Sequence, residues 1–277
     1  MRWLITGAGG MLGQDLRAAL AEAGERDVLA CTRAELDITD PIAVRTAADG
    51  GRFVLNAAAW TDVDGAESDE KSATVVNGDA VRNLAAAAGR RLIHLSTDYV
   101  FDGQATTPYA EDAPTAPVNA YGRSKAAGER HVLDAGGYVV RTAWLYGAHG
   151  PNFVRTMLRL AGERDTLDVV DDQTGPPTWS WLLARQVVAL ARSGAAPGVY
   201  HGTAAGSTTW FGLAQAVFAE AGLDPARIRP TTSDRFPRPA RRPAYSVLSH
   251  RRWSSSGVAP LPDWRPTLTR AMPALLA

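Results

Sequence analysis

Tyr121 and Lys125 stand four residues apart in NAYGRSKAAGE, residues 119–129. On a helix that spacing places both side chains on one face. A phenol beside an ammonium suits ketone reduction: hydride adds to the carbonyl carbon, and the developing alkoxide needs a proton from a positioned acid. A free phenol, with a pKa of about 10, parts with its proton reluctantly near neutrality. A neighbouring ammonium favours the phenolate by about one to three pKa units, or ~1.4–4 kcal/mol. The same ammonium can hold the ribose of a nicotinamide cofactor. Gly128 shares the face at i+7 and leaves room for close packing or for a ligand. The pair alone is common on surface helices. Weight comes from HLSTDYVFDG, residues 94–103, where Ser96 and Thr97 close an apolar strand. A hydroxyl delivered from there can hydrogen-bond the substrate oxygen beside Tyr121.

A second constellation opens the chain. LITGAGGMLG, residues 4–13, runs from an apolar strand into Gly7, Gly10 and Gly13, spaced G-x-x-G-x-x-G, with a helical pattern behind them. That context is what a dinucleotide site requires. Glycines let the backbone turn tightly and approach a pyrophosphate, and the helix start adds about half a positive charge. The pyrophosphate is expected on the backbone of Gly10, Met11 and Leu12. After the second strand an acidic residue would bind a ribose 2′-OH, whereas an arginine accommodates a 2′-phosphate. The chain has Thr32-Arg33 there, which favours NADPH, while Glu35 close by keeps NADH open. Asp37 and Ile38 are placed at the adenine. The small residues Ala57, Ala58 and Ala59 after the third strand let the cofactor cross the sheet edge.

The elements that must position these groups alternate strand and helix, the pattern of a parallel sheet covered by helices. Strands are expected at residues 3–6, 28–32, 53–56, 91–96 and 138–144, and helices at 11–23 and around 77–88. Asn119 reads as the N-cap of a helix that ends near Gly136 and Gly137. Beyond Tyr146 the pattern loosens, with helices at 153–161 and 210–221 between polar stretches. The expected fold is α/β, a Rossmann-type doubly wound parallel sheet over residues 1–146. A return to this core is expected around 165–195, and a smaller α/β substrate-binding part is built mainly from 147–277. The 277 residues are 45% hydrophobic and 21% charged with zero formal net charge, so neither a nucleic-acid backbone nor an anionic membrane is favoured as partner. The single cysteine, Cys31, excludes an internal disulfide and suits a reducing, cytoplasmic setting. No apolar run approaches the length of a membrane span.

Together with VLNAAAWTDVDGAE, VVRTAWLYG, VVDDQTGPPT and RPAYSVLS, these stretches make the chain similar to the extended short-chain dehydrogenase/reductases. Within that superfamily it resembles the dTDP-4-dehydrorhamnose reductase family over nearly its whole length. The resemblance implies that Tyr121 is the acid, Lys125 its partner and Thr97 the hydroxyl that polarises a C4 ketone. It implies Trp144 against the sugar ring, Asn152 close to the substrate, and Asp98 on the substrate side with Thr97. DDQTGPPT would shape the pocket where the nucleotide enters, and Arg241, Arg242 or Arg155 would meet the diphosphate of a dTDP-sugar, a group suited to arginine. Related dehydratases carry Asp-Glu after the threonine, whereas here Asp98-Tyr99 follows, with no glutamate for elimination. Asp15 matches only one acidic position of the magnesium contact some of these reductases use. No metal ligand is therefore assigned, and an Mg2+ requirement is left open, as is the choice between monomer and homodimer. A related dTDP-4-keto-6-deoxysugar reductase would use the same residues. A non-catalytic NADP-binding regulatory subunit is the reading from another class, and the joint presence of Thr97, Tyr121 and Lys125 argues against it.

Overall fold

The structure is a computed structural model that describes residues 1–276. The chain begins β1 (Arg2–Thr6), α1 (Met11–Glu22), β2 (Asp27–Cys31), α2 (Pro41–Ala48) and β3 (Phe53–Asn56). Two short helices, α3 (Val63–Ser68) and α4 (Glu70–Thr74), lead through a π-helical turn at Val75–Asp79 into α5 (Ala80–Ala88). Next come β4 (Leu92–Thr97), α6 (Ala120–Asp134) and β5 (Tyr138–Thr142). The later part holds β6 (Leu145–Tyr146), α7 (Phe153–Ala161), β7 (Leu167–Val170), β8 (Thr174–Gly175), β9 (Thr178–Trp179) and α8 (Ser180–Ser193). It ends with β10 (Gly198–His201), β11 (Thr208–Thr209), α9 (Trp210–Glu220), β12 (Ile228–Thr231) and α10 (Trp264–Leu276).

Six strands form one parallel sheet in the order β10-β5-β4-β3-β1-β2. Both faces are covered, which is why β4 and β5 are buried along their whole length rather than alternating. One face packs Trp3 and Ile5 against Leu12, Leu16 and Leu20 of α1 and the leucines and valines of α8. The other packs Leu4 and Val54 against α2, α5 and Val132 of α6. The strand order reverses between β1 and β3, and a doubly wound sheet leaves a crevice at the carboxyl ends at that point. A separate core unites α7, α9 and α10 with the parallel pair β7–β12.

The architecture is the expected one, with local differences. The return to the sheet is made by α8, within the expected 165–195, and by β10 just beyond it. Leu167–Val170 alternates buried and exposed positions and pairs with β12 in the smaller core. The helix expected at 77–88 is regular only from Ala80, because Asn77 is fully buried and spends its amide on the Trp60 backbone and on Ser124. The strand expected at 138–144 stops at Thr142, two residues before Trp144, whose φ of 47° is incompatible with extended backbone. No helix among the described residues is long and apolar enough to cross a membrane.

Candidate active site

At the switch point a cleft of about 430 Å³ is lined by Gly7, Gly9, Gly10, Arg33, Asp37, Ile38, Ala57, Ala58 and Ala59. Gly7 sits at φ 71°, and a Cβ there would lie 2.6 Å from the Ala58 nitrogen. A Cβ on Gly13 would strike the Gly7 carbonyl, so these two glycines fold the loop tightly onto itself. Gly10 caps α1 and brings no side chain to the first-turn N–H groups, and no acidic residue occupies that turn. The N–H groups of Met11 and Leu12 have no intrahelical acceptor and lie at the positive end of the helix, although neither residue is among those lining the cleft. These residues suit a dinucleotide pyrophosphate.

The two carboxylates that follow β2 are each engaged through one oxygen. Glu35 accepts from the Thr32 backbone and hydroxyl, both at 2.8 Å, and these bonds hold its carboxyl below the usual range. Asp37 likewise accepts from Thr39. Arg33 is exposed at the cleft rim.

The second half of the site hangs on α6. Asn119 caps it, accepting from the Gly122 N–H at 2.7 Å and donating to the Arg241 carbonyl at 2.8 Å. A Cβ on Gly122 or Gly128 would strike the Tyr99 or Asn77 carbonyl, so Gly128 serves close packing and not a ligand. Tyr121 and Lys125 share the buried face. Thr97, at the end of β4, lies near the Tyr121 phenol, and its hydroxyl opposes the rise in that phenol's pKa. Its oxygen accepts from the Tyr99 N–H at 3.1 Å, and its hydrogen is donated to Asp98 at 3.0 Å.

The Lys125 side chain is anchored to β4. Its Nζ donates to the Leu95 carbonyl at 2.6 Å and lies 3.3 Å from His94 Nε2. Burial brings its pKa down to about 8, opposed by Glu129. Burial raises the Tyr121 phenol, the Asp98 charge adds to the rise, and only the Thr97 hydroxyl opposes it. The Lys125 side chain is turned under the sheet edge, toward the Leu95 carbonyl.

A neighbouring cleft of about 470 Å³ pairs an apolar wall of Phe153, Met157, Val169 and Trp210 with Tyr99, Gln173 and Arg242. Tyr99 meets Tyr121 edge-on at 6.0 Å between centroids and so joins this cleft to the phenol. Of the residues expected at the substrate, Asp98 is buried at 2% exposure and accepts from the Thr97 hydroxyl. Burial raises its carboxyl to about 6. Trp144 stacks on Trp210 with centroids 3.5 Å apart and planes within 7°, and Gly175 lies close against its indole ring. Asn152 caps α7 and donates to the Gly147 carbonyl at 2.8 Å, clamping a loop beside Met11. DDQTGPPT forms part of the wall: Gln173 accepts from the Trp210 indole, and Asp172 accepts from Ser233. Arg242 is held by two contacts to Asp64, Arg155 donates to the Ala148 carbonyl, and Arg241 is exposed at an adjoining cleft. Sequence reasoning missed Tyr99 and Asp64. Tyr99 had a usable signal, an aromatic two residues beyond Thr97. Asp64 had none, since its partner is distant in the chain.

A parallel sheet with a glycine cradle at its switch point and a Thr-Tyr-Lys set at its carboxyl edge defines a Rossmann-type NAD(P)H-dependent oxidoreductase. The family model described as RmlD substrate binding domain matches residues 1–276, and the chain belongs to that family. It is 53% identical over 284 residues to a dTDP-4-keto-6-deoxy-D-glucose reductase of Streptomyces niveus, covering 100% of this chain and 98% of the relative. It is also 53% identical over 286 residues to a dTDP-4-dehydrorhamnose reductase of Streptomyces griseus, covering 99% and 94%. Among solved structures it matches dTDP-4-dehydrorhamnose reductase of Bacillus anthracis in complex with NADP, with a TM-score of 0.92, 36% identity and 98% of each chain covered.

Proposed function

We propose that this chain uses NADPH to reduce the C4 ketone of dTDP-4-dehydro-β-L-rhamnose, giving dTDP-L-rhamnose. The observation that carries the reading is the edge-on contact of Tyr121 with Tyr99, which lines the aromatic cleft that also holds Arg242. In this reading Gly7, Gly10, Met11 and Leu12 hold the pyrophosphate, Ala57, Ala58 and Ala59 floor the cleft, and Asp37 and Ile38 border the adenine. Arg33 takes the 2′-phosphate. The engagement of one Glu35 oxygen by Thr32 supports NADPH over NADH.

The bound cofactor supplies hydride to the ketone carbon. Tyr121 gives its phenolic proton to the ketone oxygen as negative charge develops there. Thr97 orients that oxygen, and the ligand competes with Asp98 for its single hydrogen. Lys125 restores charge balance beneath the phenol, and Trp144 lies against the sugar ring. The exclusion of water by Tyr99 and the aromatic wall strengthens each of these interactions.

A second reading, reduction of another dTDP-4-keto-6-deoxysugar, is favoured by the Streptomyces niveus relative, which is as similar as the dehydrorhamnose enzyme. Purified protein assayed with dTDP-4-dehydro-L-rhamnose and with isomeric dTDP-4-keto sugars, each with NADPH and NADH, separates them. The first reading requires the highest kcat/KM with dTDP-4-dehydro-L-rhamnose and NADPH; a higher value for another 4-keto sugar establishes the second.

A further inference from the structure

Thr6, Asn56 and His94 lie side by side in register across β1, β3 and β4. The Asn56 oxygen accepts from the Thr6 hydroxyl at 2.6 Å and from the Ala58 N–H at 3.2 Å. A backbone N–H cannot rotate, so it fixes which end of the Asn56 amide is oxygen. The Asn56 NH2 group therefore points at His94 Nδ1, 2.8 Å away, and that nitrogen must accept. His94 is fully buried, and burial followed by the Lys125 charge holds its pKa well below the ordinary value. A neutral ring that accepts at Nδ1 carries its hydrogen on Nε2, the atom facing Lys125 Nζ. An ammonium there would set donor against donor, whereas an unprotonated amine accepts the His94 hydrogen. The Leu95 carbonyl accepts a Lys125 hydrogen in either state.

We propose that His94 is a positioning residue for Lys125: locked with its hydrogen on Nε2, it presents a donor to Nζ and so favours the unprotonated amine over the ammonium. The spacing favours this assignment. His94 and Ser96 are two apart on β4 and meet Lys125 and Glu129, one turn apart on α6. The charged and titratable groups around Lys125 are few. Glu129 favours the ammonium and is itself paired with Arg141 of β5. Tyr121 lies one turn earlier on α6, with Asp98 beside it. β1, β3 and the π-helical turn contribute the neutral Thr6, Asn56 and Asn77.

The test begins with the ligand-free protein. Long-range 1H–15N correlation of the five histidine rings, with His94→Gln assigning the signal, must show His94 as the Nε2–H tautomer and unprotonated from pH 5 to 9. An Nδ1–H tautomer or an imidazolium overturns the proposal. Asn56→Asp offers His94 only acceptors and turns the tautomer over, while His94→Leu removes the donor without adding charge. In both variants the alkaline limb of the kcat profile is expected to move up by about one pH unit. A purely structural role lowers kcat and leaves the limb where it was, and an unmoved limb in both variants overturns the proposal. The rate readout rests on the ketoreductase reading; the tautomer does not, so the two can fail separately.

Discussion

Glu129 and Arg141 form a two-point ion pair directly behind the strand that delivers Thr97. Arg141 Nε donates to one carboxylate oxygen at 2.9 Å and Nη2 to the other at 2.7 Å, with both side chains 4% exposed. Ser96, opposite Arg141 in the β4–β5 register, donates to the same carboxylate at 2.6 Å. Two buried charges held this closely depend on each other. Glu129→Gln leaves the guanidinium buried and uncompensated and should destabilise the fold by about 3–5 kcal/mol. Urea unfolding followed by circular dichroism measures it; a loss under ~1 kcal/mol contradicts the assignment.

Tyr121→Phe removes only the phenolic oxygen. Turnover with the best 4-keto sugar should fall by about 10²–10⁴-fold. NADP affinity, read by calorimetry, should change little because the glycine cradle is untouched. A near-normal rate would remove Tyr121 from the role of acid.

Arg33→Ala separates the two nicotinamide cofactors. Losing a hydrogen bond to a charged group costs about 1.5–3 kcal/mol, so NADPH should bind roughly 10- to 150-fold more weakly. NADH binding should be almost unchanged. Equal losses for both cofactors would show that Arg33 supports the loop and does not read the phosphate.

The buried histidines make stability fall on the acid side. His201 lies within 2.9 Å of the Ser249 carbonyl at Nδ1, and burial, with Arg141 adding, takes its pKa from 6.5 to about 3. Between those values the unfolded chain binds a proton that the folded one refuses. The stabilisation is therefore complete above about 6.5 and is lost as pH falls toward about 3. His94 and His250 are shifted the same way. His201→Gln, measured by urea midpoint from pH 7 to 4, should show a shallower decline than the parent protein. Parallel declines would disprove it.

Much of the nucleotide-binding half was legible because local rules and tertiary structure agree there. The glycine spacing, the Asn119 cap and the Tyr121–Lys125 face are short-range features, and a parallel sheet preserves them. What stayed hidden depends on distant partners. Lys125 could be placed on a face, yet its turn toward His94 is set by β4 packing beneath α6. Arg242 reads as a free cation until Asp64 is seen across the cleft. Trp144 reads as a strand residue, but its left-handed backbone and its stack on Trp210 follow from the smaller core. Strands of two residues such as β6 and β9 carry no periodicity to detect.

The bond from Asn119 to the Arg241 carbonyl also bears on the order in which the molecule assembles. β5 emerges from the ribosome with one edge bare until β10 arrives to pair with it. The start of α6 stays half-clamped for longer still, until the segment around Arg241 has been made and docked. The dinucleotide cradle, built from β1, α1 and β3, needs neither event. The helix start that carries Tyr121, by contrast, is fully clamped only once that late segment has docked.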